Sequence, residues 1–267
     1  MHIIRFTDQD NRIHYGHNYS QGMATLLKGE LFGGLQDTDE SVVVKKILAP
    51  LEATAILCIG LNYHQHAAET GLEIPRYPVL FMKNPASINH PNDPVVIPRS
   101  CLEPPEVDYE AELAVVIGKA VRNVSAEQAL GYVAGYTIAN DISARRWQKK
   151  AGSRQWTRGK SFDTFCPLGP ALVTPDEISD PQALEIKCIL NGEIMQSAST
   201  ADMIFQVAEI IEYLSEDTTL LPGTVILTGT PGGVGFARKP PVYLKPGDEV
   251  EVSISGIGRL VSPVAKT

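Results

Sequence analysis

The sequence predicts a β-rich α+β fold with long ordered loops and few helices. Many short apolar segments are bounded by proline, glycine and asparagine, a pattern typical of strands joined by turns. Only two segments space their apolar residues as a helix does. Because binding sites are often built from loops on a rigid scaffold, we expect the chemistry of this chain at the ends of its strands.

The pattern divides the chain into a small N-terminal β module, residues 1–50, and a larger domain, residues 51–267. In the module, IIRF and RIHYG form a predicted hairpin around the turn DQDN. The larger domain begins with the apolar strand TAILCIGLNY. A chain of 267 residues is long enough for one large domain with a small extension.

The larger domain contains both predicted helices and the remaining predicted strands. The first helix, SAEQALGYVA, has Ser125 in the capping position. The second, TADMIFQVAEIIEYLSE, carries apolar residues at helical spacing from Met203 to Leu214. The predicted strands are EAELAVVIG, GYVAGYTIAN, ALEIKCILNG, TVILTGT and DEVEVSISGIG.

Composition narrows the class of protein. A formal net charge of −8 argues against non-specific binding to nucleic acid or to anionic membranes, since both favour a basic surface. No apolar run reaches the roughly 18 residues that suggest a membrane-spanning helix. The N-terminus resembles a strand and not a targeting peptide, so we expect a cytoplasmic protein. The cysteines are scattered without a CxxC pair, which predicts neither a zinc site nor a disulfide framework: they are Cys58, Cys101, Cys166 and Cys188.

The segment DYEAELAVVIG places three carboxylates on one face of a predicted strand. Alternate residues of a strand share a face, so Asp108, Glu110 and Glu112 point the same way. Such like charges repel unless a cation compensates them, and hard divalent ions prefer oxygen ligands. The alternative is a solvated edge strand, where charges deter aggregation. Asp141 follows the next strand and is either a further ligand or the cap of a short helix, ISARRWQ.

Two segments carry polar pairs at helical spacing. Arg145 and Gln148 lie three apart in ISARRWQ, where they can bind a carboxylate and an oxo group, or simply be solvated. His66 and Glu69 lie three apart in GLNYHQHAAETG, and a carboxylate beside an imidazole orients it for proton transfer or activation of water. A surface contact is the alternative for this pair, and His64 is the less favoured histidine.

Two further segments contribute candidates. GKSFDTFCPLGP contains Lys160, which is either solvated or close enough to a metal to stabilise an enolate oxygen. The glycine-rich stretch TGTPGGVG follows a strand, and its backbone amides can cradle an anion. A tight turn is the alternative, and the stretch matches no nucleotide-binding motif.

Taken in order, these segments resemble the fumarylacetoacetate hydrolase family. The resemblance covers about residues 51–260. It implies a fold of stacked and rolled mixed β-sheets, a Mg²⁺ or Mn²⁺ ion, a small 2-oxo-acid substrate and usually a homodimer. The motifs that carry it are GLNYHQHAAETG, FMKNPAS, VDYEAELAVVIG, NDISARRWQ, GKSFDTFCPLGP and LTGTPGGVG.

The resemblance also implies roles for individual residues. The matching positions are Glu110, Glu112 and Asp141 for the metal, His66 and Glu69 for a histidine–glutamate pair on a mobile lid, and Arg145, Gln148, Lys160 and Thr230 for substrate contacts. Two positions depart from the family pattern. Leu61 stands where many members have arginine, and Arg146 stands where an acidic residue is common. Both departures leave the metal positions unchanged. They make the identity of the substrate, and not membership of the family, the open question.

The chemistry implied by the family is formation of a metal-bound enolate from a 2-oxo acid. The branch that the sequence resembles is associated with keto–enol tautomerisation of oxaloacetate. The first alternative is C–C hydrolysis of an acylpyruvate or fumarylpyruvate-like compound, with water activated by His66 and Glu69. Decarboxylation of oxaloacetate shares the same enolate. A non-catalytic binding protein that retains the fold is the alternative of another class.

Overall fold

The structure, a computed structural model, describes residues 1–149 and 155–267. Strands dominate it, which confirms the predicted β-rich fold class. The strands are β1 (His2–Thr7), β2 (Ile13–Ser20), β3 (Met23–Glu30), β4 (Gly34–Val43), β5 (Lys46–Leu48), β6 (Ala55–Gly60), β7 (Val79–Lys83), β8 (Ile88–Asn89), β9 (Val95–Ile97), β10 (Val107–Asp108), β11 (Ala111–Ile117), β12 (Val133–Asn140), β13 (Ser143–Ala144), β14 (Cys166–Val173), β15 (Glu185–Leu190), β16 (Glu193–Ser199), β17 (Thr224–Leu227), β18 (Glu249–Ile254) and β19 (Gly258–Lys266).

Helices in the described chain are short and lie between the strands. The α-helices are α1 (His64–Thr70), α2 (Ala126–Ala129), α3 (Arg145–Lys149), α4 (Trp156–Lys160) and α5 (Val207–Ser215). Single 3₁₀ turns occur at Pro85–Ser87, Arg99–Cys101, Leu130–Tyr132, Thr200–Asp202 and Gly235–Ala237. None of the described helices is both long enough and apolar enough to cross a membrane.

The strands form a large mixed sheet, a five-stranded sheet and a two-stranded pair. The large sheet has the order β4-β3-β2-β1-β14-β12-β11-β17-β6-β7, with β5 and β8 attached to β1 and β14. The second sheet has the order β16-β15-β18-β19-β9, and β10 pairs with β13. Most neighbours are antiparallel, but β17 runs parallel to β6, β19 to β9 and β8 to β14.

Strand β11 lies in the interior of the large sheet and is buried along its whole length. Its side chains alternate between two cores. Leu113 and Val115 pack in the core that includes the second sheet, and Ala114 and Val116 pack in the core on the opposite face. A continuous apolar sequence such as AELAVVI suits a strand covered on both faces. The solvated edge strand considered as an alternative is therefore excluded.

The N-terminal strands continue the large sheet. The predicted hairpin is present, since β1 pairs antiparallel with β2 and joins the larger domain by pairing with β14. Ile3 and Leu27 share a hydrophobic core with Leu51 and Cys58. The division into residues 1–50 and 51–267 remains a prediction.

The second predicted helix begins later than its apolar spacing indicated, at Val207. The reason is a tertiary contact with Asn62. The backbone carbonyl of Asn62 accepts the Ile204 amide at 2.8 Å, and its side-chain oxygen accepts the Phe205 amide at 2.8 Å. The carboxylate of Glu209 accepts the Gln206 amide at 2.7 Å and satisfies the first turn of α5.

The first predicted helix is also shorter than expected. It consists of the single turn α2 after Ser125, followed by a 3₁₀ turn. The chain then enters β12 at Val133, which pairs with Ile117 of β11. Pairing with the central strand of the sheet therefore replaces the end of the predicted helix.

Candidate metal and substrate site

The candidate metal site lies at the end of the β11–β12 pair where β11 begins and β12 ends. The register pairs Glu112 with Ala139, and the Asp141 amide donates to the Glu110 carbonyl at 2.9 Å. This pairing brings Glu110, Glu112 and Asp141 together, and one carboxylate oxygen of each lies within 4.8 Å of the others. All three side chains are buried. The three predicted metal ligands therefore form one compact group.

Two buried lysines face this group. Lys160, at the end of α4, places its Nζ atom 2.5 Å from Glu110 Oε2 and 2.5 Å from Asp141 Oδ2. Lys83, on β7, donates to Asp141 Oδ1 at 2.6 Å. Each lysine is at most 2% exposed. Asp141 is therefore a partner of both lysines and not the helix cap that was the alternative.

Negative charge exceeds positive charge in the buried cluster. Among residues 1–149 and 155–267, the buried carboxylates of Asp108, Glu110, Glu112 and Asp141 lie with three buried cations, those of Lys83, Arg145 and Lys160. Within the described chain, Glu112 forms no salt bridge and accepts the Gly229 amide at 2.7 Å.

The two glutamates respond differently to this environment. Burial raises the pKa of Glu112 well above its usual range, and repulsion from Asp141 and Glu110 adds to the effect. Burial also opposes ionisation of Glu110, but Lys160 and Arg145 outweigh it and hold the Glu110 pKa below its usual range. Three hard oxygen donors with a surplus of negative charge suit a divalent cation such as Mg²⁺ or Mn²⁺.

Asp108 fixes Arg145 in place. Its Oδ2 atom accepts Nε of Arg145 at 2.8 Å, and its two oxygens accept the amides of Gly235 and Phe236 at 2.8 and 3.0 Å. Arg145 also lies 2.8 Å from Glu110 Oε1. Burial alone would lower the Arg145 pKa, but Asp108 and Glu110 raise it above its usual value. Asp108 therefore orients an arginine instead of joining the metal group.

Gln148 lies beside Arg145 on α3, as the spacing of three residues indicated. Arg145 Nη1 donates to Gln148 Oε1 at 3.0 Å. Both side chains are 5% exposed, so the surface-solvation alternative does not apply. The amide nitrogen of Gln148 is a donor beside the guanidinium, which suits recognition of an oxygen-rich ligand.

His66 and Glu69 face each other on α1. Nδ1 of His66 lies 3.3 Å from Glu69 Oε2, and His66 is 8% exposed. Glu69 also accepts the Gly233 amide at 3.0 Å, so the glycine-rich loop holds the carboxylate that orients the imidazole. His64 is exposed.

The glycine-rich loop binds anions that belong to the protein itself. Its amides at Gly229, Gly233 and Gly235 donate to Glu112, Glu69 and Asp108. Backbone amides in such loops form concave sites for anions. The backbone amides of the loop, which were predicted to be able to bind an anion, therefore bind three carboxylates of the site.

Thr230 belongs to the same loop. Its hydroxyl oxygen accepts Nε2 of Gln196 at 2.8 Å, and Oε1 of Gln196 accepts the Ala111 amide at 3.0 Å. Gln196 is 1% exposed, so it connects β16 to the start of β11 inside the protein. The position of the Thr230 hydroxyl is therefore set by a buried contact.

A cavity of about 270 Å³ opens onto these groups. Glu110, Glu112 and Lys160 line one part of it, and Ile59, Phe81, Trp156 and Phe236 contribute apolar surface. Glu69 and Asp141 are outside its lining. The other sequence-predicted residues that line it are His66, Arg145, Gln148 and Thr230. A small cavity that combines apolar walls with convergent polar groups suits a small polar ligand.

The two departures from the family pattern occupy different places. Leu61 lines the cavity, so an apolar side chain stands there instead of a guanidinium. The backbone amide of Arg146 donates to Glu106 at 2.6 Å, and its Nε donates to the same carboxylate at 3.2 Å. Arg146 does not belong to the lining of the 270 Å³ cavity. Of the two, only Leu61 can act directly on a ligand there.

For several residues of this site, the motifs and spacings of the sequence indicated no role. Lys83 occupies an inward position of β7, where a lysine in the same register as the buried Phe81 is a signal for a buried acidic partner. Phe236 and Lys149 gave no sequence signal, because their contact joins the glycine-rich loop to α3. Trp156 packs edge-on against Phe81 with ring centroids 5.4 Å apart.

Comparison with known proteins identifies relatives of high similarity. The mitochondrial oxaloacetate tautomerase fahd2 of Xenopus laevis is 50% identical over 219 residues, which cover 82% of this chain and 68% of that protein. Relatives from Rattus norvegicus, Bos taurus and Homo sapiens have the same enzyme name.

These relatives are also named mitochondrial, so the expected cytoplasmic location is wrong. Cys58, Cys101, Cys166 and Cys188 are buried and form no disulfide with one another. Such cysteines indicate a reducing environment and do not distinguish one reducing compartment from another.

Solved structures and the family profile indicate the same family as these relatives. The 2-hydroxyhepta-2,4-diene-1,7-dioate isomerase of Mycobacterium marinum has a TM-score of 0.84 at 38% identity, covering 100% of this chain and 99% of that one. The fumarylacetoacetate hydrolase of Exiguobacterium antarcticum has a TM-score of 0.84 at 37% identity and covers 100% of both chains. Residues 55–265 match the family described as fumarylacetoacetate (FAA) hydrolase C-terminal. The chain belongs to the fumarylacetoacetate hydrolase family.

Proposed function

We propose that this chain is a divalent-metal-dependent tautomerase that interconverts the keto and enol forms of oxaloacetate. The observation that carries the proposal is the buried group of Glu110, Glu112 and Asp141 at a cavity lined by cations. The choice of substrate is supported by relatives of 50% and 49% sequence identity that are named oxaloacetate tautomerases.

The three carboxylates would hold Mg²⁺ or Mn²⁺. When bound, such an ion supplies Lewis-acid polarisation of a 2-oxo group and stabilises negative charge on its oxygen. Glu112 binds the Gly229 amide and forms no salt bridge with a described residue, so its charge is available to the ion. The donor set does not discriminate between the two metals, because both accept oxygen ligands.

The other residues bind and orient the substrate. Arg145 and Gln148 present adjacent donors that suit the substrate carboxylate and oxo group, and Thr230 adds a hydroxyl at the glycine-rich loop. Lys160, already beside Glu110 and Asp141, adds positive charge where the enolate oxygen forms.

His66 moves the proton between carbon 3 and the enol oxygen in this proposal. Glu69 holds the imidazole through Nδ1, which leaves Nε2 for the substrate. The apolar cavity wall restricts water, and water is not a reactant in tautomerisation.

The test is the loss of enol absorbance after the enol form of oxaloacetate is added to protein and Mg²⁺. We expect conversion faster than in buffer, dependent on the metal, and abolished in Glu110→Gln. The exposed Glu193, changed to Gln, is the matched control. No acceleration by protein that binds Mg²⁺ in calorimetry would overturn the proposal.

C–C hydrolysis is the second candidate, favoured by the position of His66 at the cavity and by its contact with Glu69. Here the pair activates water to attack the distal carbonyl of an acylpyruvate. Release of pyruvate from acetylpyruvate, lost in His66→Ala, would support it. Pyruvate release from oxaloacetate would instead indicate decarboxylation. Absence of any heat of Mg²⁺ binding would favour a non-catalytic protein.

We also propose that two copies of the chain associate through the free edge of the large sheet. Strand β7 is the last strand in the sheet order. Leu80 and Met82 on it are 48% and 45% exposed, and Tyr77 before it is 58% exposed. An exposed apolar edge strand favours pairing with another chain. Sedimentation should give twice the chain mass for wild type and less for Leu80→Lys; a monomeric wild type would contradict the proposal.

A further inference from the structure

Some of the cations that line the 270 Å³ cavity form salt bridges with carboxylates of the protein, and one does not within the described residues. Lys160 is bound by Glu110 and Asp141, and Arg145 is bound by Asp108 and Glu110. Their charges are largely used within the cluster. Both remain available as hydrogen-bond donors, but neither brings a surplus of positive charge to a second anionic group.

Lys149 lines the same cavity and has a different environment. Its Nζ atom lies 3.2 Å from the centroid of the Phe236 ring. Within residues 1–149 and 155–267, it forms no salt bridge. Residues 150–154, the sequence KAGSR, contain no aspartate or glutamate and so offer no side-chain carboxylate.

The Phe236 ring fixes the place of this charge. Arg145 packs on the same ring, with its guanidinium carbon 4.4 Å from the centroid. The Phe236 amide donates to Asp108, the carboxylate that also holds Arg145. A cation over an aromatic face is held electrostatically while its ammonium hydrogens remain free to donate elsewhere.

We propose that Lys149 is a substrate-positioning residue that binds the second carboxylate of a dicarboxylic 2-oxo acid. This inference rests on the proposed function, in which the 2-oxo acid end of the substrate occupies the metal site. The far end of a four-carbon dicarboxylate then needs a cation that the protein has not neutralised, and Lys149 meets that requirement. It selects 2-oxo acids that carry a second carboxylate over those that carry one carboxylate.

Leu61 supports this assignment of the far end. It lines the same cavity with an apolar side chain, so this position offers no cation to a second carboxylate. Lys149 supplies a positive charge from a different element, the end of α3. In this chain, the second carboxylate is therefore recognised by Lys149, at the end of α3, which packs on Phe236.

The test compares two unreactive 2-hydroxy acids, malate with two carboxylates and lactate with one. Calorimetric titration of the Mg²⁺-loaded protein gives the affinity for each. We expect wild type to prefer malate by about tenfold or more, the size of effect that a hydrogen bond to a charged group gives. Lys149→Met, which keeps the apolar stem, should lose the preference, and Lys149→Arg should keep most of it.

Two controls separate this role from a structural one. Lys119 is exposed and lies in a turn, and Lys119→Met should leave both affinities unchanged. Affinity for Mg²⁺ should be equal in wild type and Lys149→Met. The same variant should raise KM for oxaloacetate about tenfold and leave kinetic constants for acetylpyruvate within about twofold.

A wild type that binds malate and lactate equally, or a Lys149→Met variant that keeps the preference, overturns the role of Lys149. Weaker binding of both acids by the same factor also overturns it, because the effect would then not depend on the second carboxylate. The proposed function fails separately, when a protein that prefers malate does not accelerate the conversion of oxaloacetate enol.

Discussion

At the scale of single residues, Glu112 is the carboxylate whose charge the protein compensates least. It is 2% exposed and binds one backbone amide, while its neighbours Glu110 and Asp141 share Lys160. Burying a charge without a partner costs free energy, and a bound cation removes that cost. Metal affinity and the stability of the metal-free protein are therefore linked at this position.

We expect Glu112→Gln to raise the free energy of unfolding in EDTA by about 1 kcal/mol or more, because burial and the neighbouring carboxylates make ionisation of Glu112 unfavourable and a neutral amide has no such cost. Urea unfolding measures this. Saturating Mg²⁺ at 100 times its Kd should stabilise wild type by about 2.7 kcal/mol and the variant by far less. The exposed Glu193→Gln should follow wild type. A variant that is less stable in EDTA would contradict the prediction.

Lys149 predicts a pH dependence of ligand preference. Lys149 is exposed, but partial desolvation beside Phe236, followed by the positive charge of Arg145, lowers its pKa to about 8, while Asp108 and Glu110 raise it less. A bound carboxylate favours the protonated form, so the Lys149 pKa is higher in the complex than in the free protein. Preference for malate over lactate should therefore be full below pH 8 and fall as the pH rises above it.

Calorimetry at pH 7 and pH 9 measures this ratio. Because both acids bind the metal, effects of pH on the metal itself cancel in the comparison. Lys149→Arg should keep its preference at pH 9, since arginine stays charged. A preference that is equal at the two pH values in wild type would contradict the prediction.

The sequence indicated several of the residues that the structure brings together at this candidate site. Glu110 and Glu112 alternate along one predicted strand, and Asp141 follows the next strand. These positions indicated a possible set of metal ligands, and the resemblance of the ordered motifs to the family placed all three in one set. Lys149 and Phe236 gave no such signal, because their contact joins elements far apart in the chain. Asp108 shared the strand spacing of the metal group but is used by Arg145, a pairing that spacing along one strand does not reveal.

At the scale of elements, the glycine-rich loop positions three carboxylates through its amides. Gly229 has a φ of 97° and donates to Glu112. A Cβ atom there would lie 2.7 Å from the Asn62 Cβ and 3.0 Å from the Ile59 carbonyl oxygen. Both the backbone conformation and the close approach therefore require glycine.

We expect Gly229→Ala to destabilise the protein by about 2 kcal/mol or more, since it adds a steric conflict to the strain of a positive φ. It should also weaken Mg²⁺ binding, because the amide that holds Glu112 moves. Gly192 has a φ of 84° with no atom within 4 Å of an added Cβ, so Gly192→Ala isolates the strain. Equal losses in the two variants, measured by urea unfolding, would contradict a role for close packing.

Elements were predicted well where local pattern and burial agree. Strands β11 and β12 match their apolar segments because both faces of each are covered. The second predicted helix failed in its first turn because Asn62 binds the amides of Ile204 and Phe205. Apolar spacing reports which residues are buried, and it does not report a competing hydrogen bond from a distant loop.

At the scale of the whole molecule, the N-terminal strands and the larger domain share a core. Ile3 and Leu27 pack in the same cluster as Val225, and β1 pairs with β14 of the large sheet. The two parts of the chain are thus joined both by backbone hydrogen bonds and by apolar contacts. Shared burial of this kind makes unfolding cooperative.

We therefore expect residues 1–50 and 51–267 to unfold in one transition. The two tryptophans, Trp147 and Trp156, both lie in the larger domain, so their fluorescence reports the unfolding of that domain. Ile3→Ala should lower the stability reported by this fluorescence by about 2–5 kcal/mol, as expected for a buried isoleucine. Ile13→Ala, at a position 54% exposed in the same hairpin, should change it by about 0.5 kcal/mol or less.

Urea unfolding followed by fluorescence and by circular dichroism gives the measurement. If the fluorescence and circular dichroism curves of Ile3→Ala coincide at a midpoint below that of wild type, the N-terminal strands stabilise the larger domain through the shared core. If Ile3→Ala changes only part of the circular dichroism signal and leaves the fluorescence midpoint at the wild-type value, the N-terminal module folds on its own. The predicted boundary at residue 50 would then be an energetic boundary as well as one of sequence pattern.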